Sequence, residues 1–238
     1  MFDSGVLAKA REHARLCYPE ESCGIVFKDQ YIPMNNMAEK PQDEFRIDPI
    51  AYARFVLVGN IQAIVHSHPK GPNCPTKLDM EGQIATAVPW VIVPMVQGAA
   101  QPPFWWGDQC PVPPLLEREF RMGVADCYTL ARDWYRLSWG LVLPVWPRDP
   151  DWWVKGQSVI FDGLSEMGFV KVDENDLQPG DGVIMKIWGH VENHVAVYEG
   201  NGAIIHHKQK RLSNREPLGP WRHSHVTRIM RHRSRIND

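Results

Sequence analysis

A proline-rich segment in the middle of the chain constrains the fold more than any other feature of the sequence. Five prolines stand between Gln97 and Glu117, at positions 102, 103, 111, 113 and 114, and the segment has neither helical nor strand periodicity. Because proline fixes φ and lacks a backbone N–H, such a segment favours a stiff, extended spacer. The sequence therefore predicts a first domain over residues 1–100, a linker over residues 101–116 and a second domain over residues 117–238.

The composition is that of a globular protein. The 238 residues are 44% apolar and 23% charged, which excludes a disordered chain, a collagen and a coiled-coil rod. No apolar run approaches the roughly 18 residues that a membrane span requires, and the charged N-terminal segment predicts an amphipathic helix, not a signal peptide. Five cysteines, an odd number, do not indicate a disulfide framework. We therefore expect a cytosolic protein without a membrane span.

The net charge of −2 hides a basic C-terminal end. Residues 207–238 contain nine Lys and Arg against two acidic residues, so the rest of the chain is acidic overall. Arg231, Arg233 and Arg235 alternate as on a solvated edge strand, and contact with an anionic ligand is the other interpretation. DNA, an anionic glycan and an acidic protein are the candidate ligands, but no nucleic-acid motif accompanies the basic residues.

The first domain alternates helices and strands. Asp48 caps one helix, and Thr76 begins another that ends before Pro89. The predicted elements are a helix over 6–16, a strand over 23–27, a helix over 48–58, a strand over 61–65, a helix after 76 and a strand over 90–96. This order is typical of an α/β layer.

The second domain begins with helices and ends in a run of strands, which predicts an α+β fold there and for the chain overall. The predicted elements are helices over 127–139 and 159–167 and strands over 182–186, 194–199, 203–207 and 226–231. Five tryptophans between Trp134 and Trp153 fit either a stacking platform for a sugar or peptide or ordinary core packing, and we favour packing.

Two histidines at the end of a predicted strand indicate a metal site. His66 and His68 are two residues apart, so they leave the strand on the same face and can bind one ion. Asp79, in the first turn of the next helix, adds a carboxylate, and three such ligands with an open position are the arrangement of a catalytic zinc. The other interpretation of Thr76-x-x-Asp79 is a helix capping box, and the two are compatible.

This part of the sequence resembles the JAMM (JAB/MPN-type) zinc metallopeptidases. The resemblance covers about residues 4–100 and rests on His66-x-His68-Pro69, Thr76-x-x-Asp79, Pro19-x-Glu21-x-Cys23-Gly24 and the motif FRIDP at 45–49. It implies a cytidine-deaminase-like α/β fold, Zn²⁺ bound by His66, His68 and Asp79, and Glu21 as the general acid/base. The family serine is Thr76 in this chain, which keeps a hydroxyl that can stabilise an oxyanion but adds a methyl group.

A cysteine and two histidines in the second domain indicate nucleophilic catalysis. Cys127 stands in the first turn of a helix, whose positive end favours a thiolate, although a buried structural cysteine is common at such positions. Residues 193–207 predict a hairpin in which His194 begins one strand and His206 ends the next. Pairing of these strands would supply a base and a third residue that orients it.

The same region resembles the NlpC-type cysteine peptidases, which are papain-like in architecture. The resemblance covers about residues 117–232 and rests on Phe120-x-x-Gly123-x-x-Asp126-Cys127, Leu177-x-Pro179-Gly180-Asp181 and the block HVAVYEGNGAIIH at 194–206. It implies Cys127 as nucleophile, His194 as general base and His206 as the orienting residue. The reaction that it implies is cleavage of a D-γ-glutamyl–diamino acid bond in cell-wall peptides.

The two resemblances, in this order within 238 residues, are together similar to the tail-tip assembly proteins of lambda-like siphophages. This similarity implies two hydrolase sites, a zinc-dependent (iso)peptidase and a Cys-His-His peptidase. It implies other tail-tip proteins as partners and bacterial peptidoglycan peptides as substrate, with no nucleic acid. It also implies the host cytoplasm during assembly as the location, and the virion tail tip as a further one. The alternative is a structural tail component or assembly factor with vestigial or weakly active sites.

Overall fold

The computed structural model describes residues 1–158 and 163–236. The chain divides into two compact units, Met1–Pro111 and Val112–Asp238. Each unit combines helices with one sheet, which confirms the α+β fold class. Among the described residues, no helix is both long and apolar enough to cross a bilayer.

The first unit is built on a mixed sheet with the strand order β2-β1-β3-β4-β5, and β6 also pairs with β4. Only β3 and β4 are parallel among these described pairs. Its elements are α1 (Ser4–Cys17), β1 (Cys23–Phe27), β2 (Gln30–Met34), α2 (Pro49–Val58), β3 (Ile61–His68), α3 (Lys77–Thr86), β4 (Trp90–Val96), β5 (Ala99–Ala100) and β6 (Phe104–Trp106).

Local signals in the sequence explain where these helices begin. Asp3 accepts a hydrogen bond from the backbone of Gly5 at 2.7 Å, and Asp48 accepts one from Ile50 at 2.9 Å. Each carboxylate thereby satisfies a backbone N–H that has no partner within its helix. One face of α1 is buried against the sheet, where the strands contribute alternate apolar side chains to the same core.

The predicted linker is too long at its N-terminal end. Phe104–Trp106, within the predicted linker over residues 101–116, forms β6 and pairs with β4, with Trp106 opposite Trp90. A segment of three residues that follows two prolines is too short to show a strand period, so only the pairing partner reveals this strand. The aromatic residues of the segment therefore belong to the first unit.

The second unit is built on an antiparallel sheet with the strand order β11-β10-β9-β8-β12-β7. Its elements are α4 (Cys127–Trp139), β7 (Phe169–Val172), β8 (Gly182–Met185), β9 (His194–Gly200), β10 (Ala203–His206), β11 (Asn214–Pro217), a one-turn helix α5 (Gly219–Arg222) and β12 (Val226–His232). The first part of the predicted helix 159–167 lies outside the described residues, and 163–168 form turns, not a helix.

The five tryptophans between Trp134 and Trp153 pack the core of the second unit, as we favoured. Trp134 and Trp152 are buried in the cluster that α4 forms with the sheet, and Trp139, Trp146 and Trp153 are half-buried against it. Gly180 is required beside this cluster, because a Cβ there would lie 1.9 Å from a ring carbon of Trp139. Its φ of +93° is also one that residues other than glycine rarely adopt.

Candidate active sites

The end of β3 and the start of α3 bring three candidate ligands of the first unit together. Nε2 of His66 lies 3.1 Å from one carboxylate oxygen of Asp79, and Nε2 of His68 lies 3.3 Å from the other. The two Nε2 atoms are 3.0 Å apart, and the ligand atoms of all three residues lie within 4.8 Å of one another. The spacing of two along a strand therefore places both imidazoles on one face, as predicted.

The surroundings of these residues fit a zinc ion. Nδ1 of His68 is 2.7 Å from the carbonyl oxygen of Pro72, so it can donate its hydrogen there and leave the Nε2 lone pair for a metal. The backbone N–H and the hydroxyl of Thr76 donate to Asp79 at 2.7 and 2.8 Å and orient its carboxylate. Two imidazole nitrogens and one carboxylate oxygen are a donor set of catalytic zinc sites.

Charge and burial act in opposite directions at these ligands. Burial raises the pKa of Asp79, but the attraction and hydrogen bonds of His66 and His68 outweigh it and hold the pKa well below its usual range. Burial lowers the pKa of His66, with Asp79 opposing the shift. The structure therefore provides an ionised carboxylate beside the neutral imidazole of His66, which are protonation states that bind a metal. At His68, burial lowers the pKa, but the hydrogen bond and charge of Asp79 outweigh it and raise the pKa, and a metal ion would displace that proton.

Glu21 lies on the wall of the cavity that contains His68 and Asp79. This cavity measures about 450 Å³. Glu21 stands two residues before Cys23, which pairs with His66 across β1 and β3. Burial raises the pKa of Glu21 to about 7, with the charge of His68 opposing the shift. A carboxyl group with this pKa can both accept and return a proton near neutral pH.

Thr76 is the N-cap of α3 and forms a reciprocal capping box with Asp79. The capping and ligand interpretations of this motif are thus both compatible with the geometry, because one carboxylate oxygen faces Thr76 while both approach histidines. The hydroxyl hydrogen of Thr76 is directed to Asp79. Its predicted role at an oxyanion stays a prediction, and it requires this hydroxyl to rotate.

Antiparallel pairing brings the two histidines of the second unit together. His206 on β10 stands opposite Ala196 on β9, two residues after His194, so the two histidines share one face of the sheet. Nε2 of His194 lies 3.1 Å from Nδ1 of His206, and both residues are buried. Cys127, the first residue of α4, lines the same cavity as His194. This cavity measures about 20 Å³, room for about one water molecule.

The thiol of Cys127 is not activated in the way that its position predicts. Burial and the nearby charge of Asp126 raise its pKa to about 12, although hydrogen bonds with the backbone of Val195 and Tyr128 oppose the shift. Burial and the neighbouring His206 hold the pKa of His194 well below its usual range. Both groups are therefore neutral at rest, because burial disfavours each isolated charge more than the helix end favours the thiolate.

A buried ion pair beneath Cys127 is absent from the sequence prediction. Asp126 caps α4 through a bond from the backbone of Thr129 at 2.9 Å and forms an ion pair with Arg148. Both side chains are only 2% exposed. The cap was predictable from its position before the helix, but Arg148 lies in the Trp- and Pro-rich stretch, where no local pattern indicates a buried charge.

Glu216 is a second residue that sequence reasoning misses. It lies on β11, with a carboxylate oxygen 3.4 Å from Nε2 of His206. No apolar pattern identifies the sequence Asn-Arg-Glu-Pro as a strand, so nothing in the sequence places this carboxylate beside the histidine.

Most of the basic end is neutralised by acidic neighbours. Ion pairs join Arg231 to Asp181 and Asp176, Arg228 to Glu192, Arg222 to Glu174, Arg215 to Glu199 and Lys208 to Glu216. Arg231 is buried, so it is not part of a solvated edge. The charge excess in the sequence is therefore a weaker argument for an anionic ligand than the count alone suggests.

Two family models match the chain. The NlpC/P60 family matches residues 101–231. The prokaryotic homologs of the JAB domain match residues 3–107. All the residues of the candidate cysteine site lie in the first of these ranges, and all those of the candidate metal site lie in the second.

Curated relatives match across both units. The chain is 33% identical over 227 residues to tail tip assembly protein K of Escherichia phage N15, which covers 93% of this chain and 91% of that protein. It is 35% identical over 188 residues to tail tip assembly protein K of Escherichia phage lambda, which covers 79% and 90%. An NlpC/P60 family protein from Bacillus cereus is 14% identical, with a TM-score of 0.36, over 98% of this chain and 67% of that one.

Proposed function

Because the chain belongs to the NlpC/P60 family and to the family of phage tail tip assembly proteins, we propose that it is an assembly factor with two separate hydrolase sites. The second site is a cysteine peptidase that cleaves D-γ-glutamyl–diamino acid bonds in cell-wall peptides. The first is a zinc-dependent (iso)peptidase. The contact of 3.1 Å between His194 and His206, beside Cys127, carries the proposal, because it supplies a proton acceptor that a second imidazole orients, next to a thiol.

In the proposed cysteine reaction, His194 takes the thiol proton as the sulfur attacks the carbonyl carbon of the scissile bond. Nε2 of His194 faces His206, which leaves Nδ1 to accept this proton. The C–N bond then breaks, the departing amine takes the proton from His194, and a thioester remains on Cys127. Water, deprotonated by His194, releases the acid and restores the thiol. Since both groups are neutral at rest, each charge forms only when its partner can stabilise it.

In the proposed zinc site, His66, His68 and Asp79 hold the ion and Glu21 moves the proton. A bound zinc ion supplies Lewis acidity and activates a water molecule for hydrolysis. Glu21 accepts a proton from the nucleophile and returns it to the leaving amine, for which its pKa of about 7 is suitable. The cavity of about 450 Å³ beside these residues is large enough for a short peptide segment.

The cysteine site is tested by hydrolysis of purified peptidoglycan and of a defined L-Ala-D-γ-Glu-diaminopimelate peptide, followed by mass spectrometry. We expect Cys127→Ala to lose more than about 1,000-fold in rate. Cys110→Ala is the matched control, because this half-buried cysteine belongs to the other unit, and it should cleave like the wild type. Cleavage that survives Cys127→Ala would reject the cysteine mechanism, and a folded wild type that cleaves neither substrate would favour the vestigial alternative.

The zinc site is tested on the protein partners of tail assembly. The protein is co-expressed with the other tail-tip proteins in the presence of zinc. New N-termini or released isopeptide products are then sought by mass spectrometry. We expect products with the wild type that disappear with Glu21→Gln, which keeps the size of the side chain but cannot accept the proton. Products that persist in Glu21→Gln would remove Glu21 from the mechanism.

A further inference from the structure

Glu216 lies behind the histidine pair of the candidate cysteine site. It pairs with Ile204 on β10, two residues before His206, so Glu216 and His206 follow the same face of the sheet. One carboxylate oxygen, Oε2, lies 3.4 Å from Nε2 of His206 and accepts a hydrogen bond from the indole of Trp221 at 3.2 Å. Side chains from two other elements thus approach this oxygen.

The other carboxylate oxygen of Glu216 is held by two donors. Lys208 donates to Oε1 at 2.5 Å, and the amide of Asn214 donates to it at 2.9 Å. The ammonium group of Lys208 also lies 4.9 Å from the ring centre of Trp221. Burial raises the pKa of Glu216, but the hydrogen bonds from Lys208 and Asn214, and the charge that His206 carries in acid, outweigh it and lower the pKa to about 2. Glu216 is therefore ionised, and an ionised carboxylate can only accept hydrogen bonds.

His206 is neutral beside this carboxylate. Burial lowers its pKa to about 4, Glu216 opposes the shift, and the charges of Lys208 and His207 add to it. A neutral imidazole carries its hydrogen on one nitrogen only, so its two neighbours decide which nitrogen that is. Nδ1 faces His194, while the buried Nε2 has no partner of hydrogen-bond geometry within the described chain. The carboxylate at 3.4 Å is an acceptor for which a small closing movement makes that bond.

We propose that Glu216 is a positioning residue that fixes the tautomers of both His194 and His206. This proposal rests on the proposed cysteine-peptidase function. Since the carboxylate only accepts, His206 carries its hydrogen on Nε2 and offers the Nδ1 lone pair to His194. His194 must then donate from Nε2, so its own lone pair is on Nδ1. This nitrogen is the one left to take the proton of Cys127. Each bond in the chain from Glu216 to His194 therefore points in one direction.

Loss of the carboxylate allows the opposite direction. His206 can then carry its hydrogen on Nδ1 and donate it to Nε2 of His194. The hydrogen of His194 is then on Nδ1, and this nitrogen has no lone pair left to accept the proton of Cys127. In a Ser-His-Asp triad, loss of the acceptor that fixes the histidine tautomer reduces the rate about 10⁴-fold. Because Glu216 acts through one further imidazole, we expect a smaller loss of about 10- to 100-fold in the reactivity of Cys127.

Histidine tautomers in the full chain are measured by long-range ¹H–¹⁵N correlation spectra of ¹⁵N-histidine-labelled protein without substrate. We expect Nε2–H for His206 and His194 in the wild type, and a mixture of tautomers in Glu216→Gln, whose amide can donate as well as accept. Glu199→Gln is the matched control, because Glu199 is a similarly buried carboxylate of this sheet, paired with Arg215 and away from His206. A wild-type spectrum with Nδ1–H on His206 overturns the proposal, whether or not the variants fold.

Thiol reactivity gives a second readout. It would not change in the way described below if Glu216 had a purely structural role. Alkylation of Cys127 by iodoacetamide is followed by peptide mass spectrometry between pH 5 and 9, which separates it from the other cysteines. We expect Glu216→Gln to react about 10- to 100-fold more slowly at pH 7, at a temperature at which the variant is folded, and Glu199→Gln to react like the wild type. Equal alkylation profiles of Glu216→Gln and wild type overturn the proposal.

These measurements separate the inference from the function on which it rests, since neither uses a cell-wall peptide. Tautomers and alkylation that depend on Glu216, in a protein that cleaves no cell-wall peptide, support the positioning role and reject the proposed substrate. Cleavage of the peptide, together with histidine tautomers that are the same in the wild type and in Glu216→Gln, supports the peptidase function and rejects the positioning role.

Discussion

Replacing Arg148 by methionine should destabilise the second unit more than the same replacement of an exposed arginine. Arg148 and Asp126 form an ion pair in which both side chains are 2% exposed. Removal of one partner of a buried pair costs about 3–5 kcal/mol, because the other charge stays buried and unpaired. Asp126 keeps the hydrogen bonds from Gly123 at 2.7 Å and Thr129 at 2.9 Å, so we expect the lower end of this range, about 3 kcal/mol at pH 7.

The pH dependence of this loss identifies its cause. Burial raises the pKa of Asp126, but Arg148 and the backbone bonds lower it below its usual value of 3.8, so in the wild type its stabilisation is present above about pH 4 and is lost in more acidic solution. Without Arg148, the effect of burial is no longer outweighed, and the pKa of Asp126 in the folded state rises. The ionised carboxylate then becomes a penalty above about pH 4 that acid relieves. The difference between variant and wild type should therefore shrink as the pH falls from 7 to 4.

This difference is measured by urea unfolding of the full chain. Hydrogen exchange of peptides from α4 serves as the probe, so that the result refers to the second unit. Arg148→Met with Asp126→Asn should recover most of the loss, because asparagine still caps the helix and no charge remains buried. Arg215→Met is the matched control, since Arg215 is 53% exposed in its pair with Glu199, and it should cost less than about 1 kcal/mol. A double variant as unstable as the single one, or a loss that does not change with pH, would refute the electrostatic reasoning.

The other predictions concern the metal site and one glycine. His68→Ala should reduce bound zinc from one equivalent to less than about 0.1 by elemental analysis, because three ligands are the minimum for tight binding. His223→Ala should retain the zinc, because the His-Ser-His sequence at 223–225 belongs to the second unit. Thr76→Ala should weaken zinc affinity about tenfold in chelator competition, since Asp79 loses a bond of 2.8 Å; Thr76→Ser should not, and equal affinities of the two variants would contradict this role. Gly180→Ala should cost more than about 2 kcal/mol in urea unfolding because of its collision with a tryptophan and its positive φ. The control is Gly202→Ala, also at positive φ but with open space around its Cβ, and a similar loss in both would exclude the collision.

Elements with a strong local signal were predictable nearly to the residue. Asp48 and Asp126 each precede their helices, and both cap them in the structure. The strand Cys23–Phe27 has the predicted bounds, because its buried side chains are contiguous in the sequence. Local signals of this kind need no knowledge of distant residues, and the same holds for the spacing of two between His66 and His68.

Short edge strands were not predictable, because their stability comes from pairing with residues elsewhere in the chain. β6 has three residues among prolines, and β11 has the sequence Asn-Arg-Glu-Pro, which shows no alternation of apolar and polar residues and no apolar run. The missed strand β11 is also the reason why Glu216 was missed. Neither Glu216 nor the strand that carries it was predicted, since only the register between β10 and β11 places the carboxylate beside His206.

The helix end does not decide the pKa of Cys127, for a related reason. The position of a residue in the first turn of a helix is visible in the sequence, and the helix end does favour a negative charge there. Burial is not visible in the same way, and here it acts with the carboxylate of Asp126 to raise the pKa of the thiol to about 12. The local effect was identified correctly, but the opposing effects of the folded environment are larger.

Asp79 and Asp126 show how one sequence signal can serve two purposes. Both carboxylates stand at the start of a helix and hold its first turn, so the local pattern treats them alike. Their distant partners differ, since Asp79 meets two imidazoles whose Nε2 atoms converge, whereas Asp126 meets the permanently charged guanidinium of Arg148. Imidazole nitrogens can turn lone pairs toward a cation, but a guanidinium repels one. The charge of the partner, not the position of the carboxylate, therefore separates a metal ligand from a structural cap.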